Sequence, residues 1–557
     1  MYKPSGFLLL ALAASSMLRA GDFRPSEAST EALTTITEHT IMPHIRFLSH
    51  DLLEGRAPGT RGDALARLYI AAQMEEMGLQ PGAENGTWFQ RVPVLSMTTD
   101  PAFVLSIRGK GGNIDLQYRT EFIGNAGNQQ PLVDIRDAGI VFVGYGIVAP
   151  EQEWDDYKGT DLRGKILLML NNDPSPDDPA VFGGKGRQYY GRWDYKFQMA
   201  AKKGAAGAII IHTTESAGYG WNVVESSWTG EQFELAKKPD DPGSGLNAWT
   251  TFAATERILA LAGLRYDDLF TAAQKRSFTP VDLGLTLSTV ITTTMQDTET
   301  TNVLGLLPGS DPQLKGEVVV LTAHYDHLGI GTPVNGDSIN NGALDNATGV
   351  GAVLSIAQAF RSMTEAPRRS VLFAAVGAEE SGLLGSQYYT RNPTFPPGRI
   401  AANINIDGLG IFGRTKDVSM VGLGKSSVDD VVRTVVTWQG RVLKPDQYPE
   451  LGLFYRSDQF NFARIGVPCV YLDPGLEYID KPADFGKKKV EEYIEKNYHR
   501  PSDEITGEWE LSGGVEDTRL MFLVAQEIAN ADDMPQWNKG DEFESVRAKA
   551  IRDSRTE

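Results

Sequence analysis

Between residues 62 and 77 apolar positions recur at helical spacing. Leu65, Leu68 and Ala72 share one face, and Gly78 follows as a stop. Residues 28–95 around this segment read as a helical lead-in. From about residue 135 the pattern changes to short β-branched runs at 140–143, 166–170 and 208–211, separated by Gly, Pro and Asp clusters. Residues 195–203, closed by Gly204, predict a helix before the third run, so a compact α+β or β-rich unit is expected here. The stretch from Trp221 to about 285 is rich in Gly, Ser, Trp and Pro and predicts long loops ending that unit. From Thr301 strands alternate with helices. Strands are predicted over 317–322, 370–376, 401–406 and 469–472, and helices over 349–363, 428–439 and 515–530. Such alternation predicts an α/β sheet with crossover helices. The last twenty residues interleave Lys, Arg, Asp and Glu and read as a solvated tail.

Composition narrows the class. A chain of 557 residues with 41% hydrophobic content has enough apolar material for two or three cored domains. Its formal net charge of -19 argues against sequence-independent binding to nucleic acid or anionic lipid. Lys3, the apolar stretch from Phe7 to Ala14 and the Leu18-Arg19-Ala20 sequence before Gly21 predict a signal peptide over 1–20, hence an exported protein, periplasmic or extracellular. No later run approaches the ~20 apolar residues of a membrane span. The single Cys469 rules out an internal disulfide and reads as a buried, inert thiol. Oligomeric state has no signature in this pattern.

In open α/β sheets ligands gather beyond the carboxyl ends of the strands. The residues following the predicted strands are His324-Tyr-Asp326-His327, Glu379-Glu380 and Asp407. Between the first two lies Asp345, and near the chain end Tyr498-His499 leads to Asp503. Alone, each has a bland explanation as a helix cap, a dipole partner or a hydrogen-bonded core residue. Together they match the set that two zinc ions sharing a carboxylate require, about two His and three Asp or Glu. Imidazole and carboxylate without thiolate also suit cobalt or manganese.

With these motifs the chain resembles the dinuclear zinc aminopeptidase family, related to glutamate carboxypeptidase, glutaminyl cyclases and the transferrin receptor ectodomain. The segment Leu52-Leu-Glu-Gly55-Arg56-Ala-Pro-Gly59 and the run Glu379-Glu380-Ser-Gly-Leu-Leu-Gly-Ser386 carry the likeness, and Trp193-Asp-Tyr-Lys looks specific to its exported bacterial branch. The resemblance implies a mixed central sheet flanked by helices, two zinc ions and peptide substrates. It implies His324 and Asp407 on one metal, Glu380 and His499 on the other, and Asp345 bridging. Glu379 would be the general base, Asp326 would orient the His324 imidazole, and His327 would be a neighbour only. Tyr455 is the candidate to steady an oxyanion. Where the family commonly has Ser-Asp-His, this chain has Ser457-Asp458-Gln459, which predicts altered pocket polarity. The implied division is a signal peptide over 1–20, catalytic domain over 21–134 and 286–535, an insert resembling a protease-associated domain over 135–285, and a polar tail over 536–557.

Other catalytic patterns fail. The chain has no Gly-x-Ser-x-Gly elbow and no His-Glu-x-x-His helix, and Gly424-Lys425-Ser426 lacks the earlier glycine of a phosphate loop. The ligand set and Glu379 argue against an inactive binding module, and the insert argues against a cyclase. A carboxypeptidase of the same family stays open, with Arg414 or Arg456 as the clamp for a terminal carboxylate.

Overall fold

The four apolar runs of the second half lie side by side. Ser370–Val376, Val318–His324, Ile400–Asn405 and Cys469–Pro474 form a parallel quartet in that order. The first three are buried along their whole length, as parallel strands covered on both faces must be. Antiparallel strands complete a mixed sheet on both sides, Val281–Leu307, Phe89–Thr99 and Glu231–Leu235 beyond one edge, Asp417–Met420 and then Val442–Pro445 beyond the other. The computed structural model describes residues 23–174, 178, 181–184, 186–238 and 241–555; the expected signal peptide at 1–20 lies outside them.

Strand alternation assigns the faces. Val319, Leu321 and Ala323 pack under the helices Glu38–Leu48, Thr348–Ser362 and Ser512–Asn530. Val318 and Val320 pack on the opposite side, with Phe460 and Phe462 of the helix Gln459–Arg464. The fold is therefore α/β, a mixed central sheet flanked by helices.

A second core is built from residues between Phe103 and Ile291. Its sheet runs Leu105–Gly109, Val281–Leu307, Leu132–Phe142, Ile166–Leu170, Gly207–Ile211, Leu246–Thr250 and Phe122–Asn125. This span is wider than the 135–285 read from composition, because strands at 105–109 and 122–125 join the same sheet. One 27-residue strand, Val281–Leu307, belongs to both sheets.

Three expectations need correction. The helical lead-in ends before the strand Phe89–Thr99. The supposed loops from 221 to 285 hold the helices Trp221–Trp228, Phe252–Leu261 and Tyr266–Ala273 and two strands, because Trp249 and its apolar neighbours are buried among them. The polar tail is not a solvated tail. Trp537 and Phe543 are buried, and the helix Glu544–Asp553 inserts Arg547, 1% exposed, to donate to the carbonyls of Ile400 at 2.9 Å and Pro535 at 3.1 Å.

Candidate metal centre

The parallel quartet ends along one edge, and the chemistry follows immediately. His324 is the last residue of its strand, Asp407 lies two residues past Asn405, and Glu379 and Glu380 follow Val376 through Ala378, whose φ is 57°. Asp345 stands just before the helix Thr348–Ser362, and His499 follows the helix Phe485–Lys496.

The structure gathers these side chains around one carboxylate. His324 Nε2 lies 3.2 Å from Asp345 Oδ1 and 3.3 Å from Asp407 Oδ1. His499 Nε2 lies 3.5 Å from Asp345 Oδ2 and 3.0 Å from Glu380 Oε2. Asp345 thus turns one oxygen towards each imidazole. Glu379 stands further back, its Oε2 4.0 Å from His324 Nε2. His327 is closer than expected of a mere neighbour: its Nδ1 is 2.7 Å from Glu380 Oε1, and its buried Nε2 has no partner among the described residues.

The donor set fits divalent cations. Three groups, His324 with Asp345 and Asp407, His324 with Glu379 and Glu380, and His327 with Asp345 and Glu380, each place their ligand atoms within 4.8 Å of one another. All are imidazoles or carboxylates, the donors that zinc accepts. The surrounding field points the same way, because Asp326, Asp345, Glu379, Glu380, Asp407, Asp458 and Asp503 converge here against one wholly buried guanidinium, Arg56. Burial first, and then the charges of Glu380 and Asp407, hold the Glu379 carboxyl well above the usual carboxylate range. Burial would depress His324, but Glu379, Asp407 and Asp345 outweigh it and raise the imidazole well above its ordinary value. So many uncompensated acids are costly unless cations join them.

Positioning groups lie behind the cluster. Arg56 donates from Nε to the carbonyl of Tyr325 at 2.6 Å and from its two Nη atoms to the carbonyls of Leu48, Asn341 at 2.6 Å and Gly342 at 3.0 Å. It therefore ties the His324 loop to the Asp345 loop. Asp503 accepts the backbone N–H groups of Leu344 and Asp345, each at 3.0 Å, and Ser457 donates to Asp407 Oδ2 at 2.7 Å. Tyr498 stacks on the His499 ring with centroids 3.8 Å apart. Sequence reasoning assigned none of these four roles. Asp503 and Tyr498 flank His499 in the motif, and that proximity was the available signal.

Three expectations change. The Asp326 carboxylate mainly accepts the backbone N–H groups of Glu379 at 3.0 Å and Glu380 at 3.3 Å, while His324 Nδ1 faces the Asp326 backbone oxygen at 3.2 Å and its carboxylate only at 3.9 Å. Asp326 thus fixes the acidic turn more than the imidazole. Tyr455 is not at the cluster; its hydroxyl donates to Glu542 at 2.7 Å. Gln459 does not alter a pocket, because it is fully buried, accepting from Asn405 at 2.8 Å and donating to the carbonyl of Phe454 at 2.9 Å. Of the two possible carboxylate clamps, Arg414 is engaged by Glu516 at 2.9 Å, whereas Arg456 is exposed near Tyr498. Cys469 is buried, as expected.

Comparison with known proteins gives the same picture. Residues 302–523 match the profile of Peptidase family M28. Leupeptin-inactivating enzyme 1 of Streptomyces exfoliatus is 27% identical over 211 residues, covering 37% of this chain and 43% of that protein. Leucine aminopeptidase 2 of Trichophyton rubrum is 26% identical over 277 residues, 47% of this chain and 51% of that one. The chain spans about half the length of these curated relatives, or less. Among solved structures, an aminopeptidase from Aneurinibacillus sp. strain AM-1 shares the fold, with a TM-score of 0.52 at 18% identity over 91% of this chain and 97% of that one.

Proposed function

We propose, from the premise that residues 302–523 belong to Peptidase family M28, that this protein is an exported dinuclear zinc aminopeptidase, removing N-terminal residues from peptides. The observation that carries the reading is Asp345, which turns one carboxylate oxygen to each of two imidazole-carboxylate sets. His324 and Asp407 would hold one zinc ion, Glu380 and His499 the other, and Asp345 both. Bound there, the ions would supply Lewis-acid polarisation of the scissile carbonyl and lower the pKa of water towards neutrality.

The remaining work falls to the chain. Glu379, set back from the ligand atoms and held through its backbone N–H by Asp326, takes a proton from the attacking water and returns it to the leaving amine. Tyr498, whose ring stacks on His499, replaces Tyr455, whose hydroxyl is held by Glu542, as the candidate to steady the oxyanion. A carboxypeptidase of the same family would use the exposed Arg456 to clamp the substrate's terminal carboxylate. The inserted unit, which resembles a protease-associated domain, touches the catalytic side where the Arg187 backbone N–H donates to the carbonyl of Pro449 at 3.3 Å.

The test is hydrolysis of peptides with free, N-acetylated or C-amidated ends by purified protein, before and after chelation and zinc add-back. Cleavage that needs a free amine and zinc supports the reading, whereas dependence on a free carboxylate replaces it with a carboxypeptidase. Glu379→Gln should keep zinc bound and lose most turnover; wild-type rates in that variant would remove the base assignment.

A further inference from the structure

Beside the metal cluster lies a second group of polar side chains that the proposed chemistry does not use. The strands Ile400–Asn405 and Cys469–Pro474 pair in parallel with Asn405 opposite Tyr471. Asp407 and Asp473 therefore each follow that pair by two residues. Asp473 is half-buried, and among the described residues no donor bonds its carboxylate and no Lys, Arg or His pairs with it. Its electrostatic neighbours are like charges, Asp446 and Asp407. Burial first, and then these two acids, push its pKa up to about 7.

Neighbouring groups share this lack of partners. Ser419 lies directly opposite Asp473 in an antiparallel pair, so both side chains leave the same face. It is 2% exposed, and its Oγ has no partner among the described residues. The buried hydroxyl of Tyr448, which feels the charge of Asp473, has none either. Tyr471, 8% exposed, lies within the field of Asp473, Asp407 and Glu379. A half-buried carboxylate beside two buried, unpartnered hydroxyls is a group short of hydrogen-bond donors. All three accept hydrogen bonds, and a group with several N–H donors and a positive charge would satisfy them together.

We infer that Asp473, with Ser419 and Tyr448, forms the pocket for the side chain of the substrate's first residue and selects a cationic one, lysine or arginine. The inference rests on the exopeptidase reading for its placement, since Asp473 adjoins Asp407 of the metal cluster. A substrate's α-ammonium offers the same chemistry, so the test must separate it from the side chain. Lysinamide and norleucinamide share the α-amine and nearly the same length, and only lysinamide carries the side-chain charge.

The experiment is calorimetric titration of the zinc-loaded full chain with each amide. Lysinamide should bind about ten- to hundredfold more tightly, the range for hydrogen bonds to a charged group. Asp473→Asn should bring the ratio close to one, and Ser419→Ala should lower it part of the way. Equal binding of both amides by wild type would overturn the inference. So would an equal loss for both in Asp473→Asn, which would assign the carboxylate to the α-amine. The wild-type ratio does not depend on any variant folding, and the titration does not depend on turnover. A protein that prefers lysinamide yet cleaves no peptide would retain this pocket and lose the peptidase reading.

Discussion

Arg56 offers the sharpest test of how the centre is held. Its guanidinium is 1% exposed and reaches four carbonyls on three separate segments, Leu48, Tyr325 and the pair Asn341 and Gly342. Burial lowers its pKa to about 10, with Asp326, Asp503, Asp345 and Glu380 opposing that shift, so it stays charged at neutral pH. Hydrogen bonds from a charged donor contribute about 1.5–3 kcal/mol each, so four would total about 6–12 kcal/mol. Removing a buried cation also removes its desolvation cost, and the net loss on breaking such a site is about 3–5 kcal/mol. Arg56→Met should therefore lower the melting temperature by about 10 °C, at about 2–4 °C per kcal/mol for a domain of this size. Turnover should fall with it, because the loops carrying His324 and Asp345 lose their common anchor. Arg56→Lys keeps the charge but not the fork of five donors. Scanning calorimetry of the metal-free and zinc-loaded forms measures both variants. If Lys restores stability to within about 1 kcal/mol of wild type, less than one such bond, charge and not geometry holds the loops, and the reasoning fails.

Three further outcomes are expected. Asp326→Asn presents an amide with one acceptor to two backbone N–H groups, and should cost about 10–100-fold in zinc affinity or kcat, as chelator competition and steady-state kinetics would show. His44 is buried, with a pKa lowered by burial from 6.5 to about 4, so below pH 6.5 the unfolded chain binds a proton that the folded chain refuses. Its contribution, about 3 kcal/mol, is present above pH 6.5 and lost as the pH falls to 4; the stability difference between wild type and His44→Gln in urea should shrink across that window, and a constant difference would contradict this. Tyr455→Phe should cost about 1 kcal/mol of stability by releasing Glu542 and leave kcat within about twofold, whereas Tyr498→Phe should lower kcat by tenfold or more, of order 1.4 kcal/mol in the barrier.

Legibility differed with the range of the interaction. The quartet of parallel strands was visible because burial on both faces forces apolar runs, and the chemistry was visible because it follows those runs directly. The long strand Val281–Leu307 was missed although Leu283, Leu285, Leu287 and Ile291 alternate along it; the Gly, Thr and Asp between them resemble loop composition. Arg56 and Arg547 carry charges that local pattern assigns to solvent. Their most distant carbonyl partners lie 286 and 150 residues away, beyond the reach of periodicity. Asp326 illustrates a subtler limit. Its proximity to His324 in sequence suggested a bond to the imidazole, while the fold offered it the nearer N–H groups of Glu379 and Glu380.

The strand common to both sheets has a practical consequence for anyone wishing to trim the protein. Over 281–292 it pairs with Leu132–Phe142 and Leu105–Gly109, and over 293–307 with Phe89–Thr99 and Ser370–Val376. The inserted unit is consequently no cassette. Cutting it out at 135 and 285 would leave the surviving half-strand with a row of bare amides and carbonyls, a template for intermolecular pairing and precipitation. A minimal catalytic fragment would have to replace that partner, not merely close the gap with a linker.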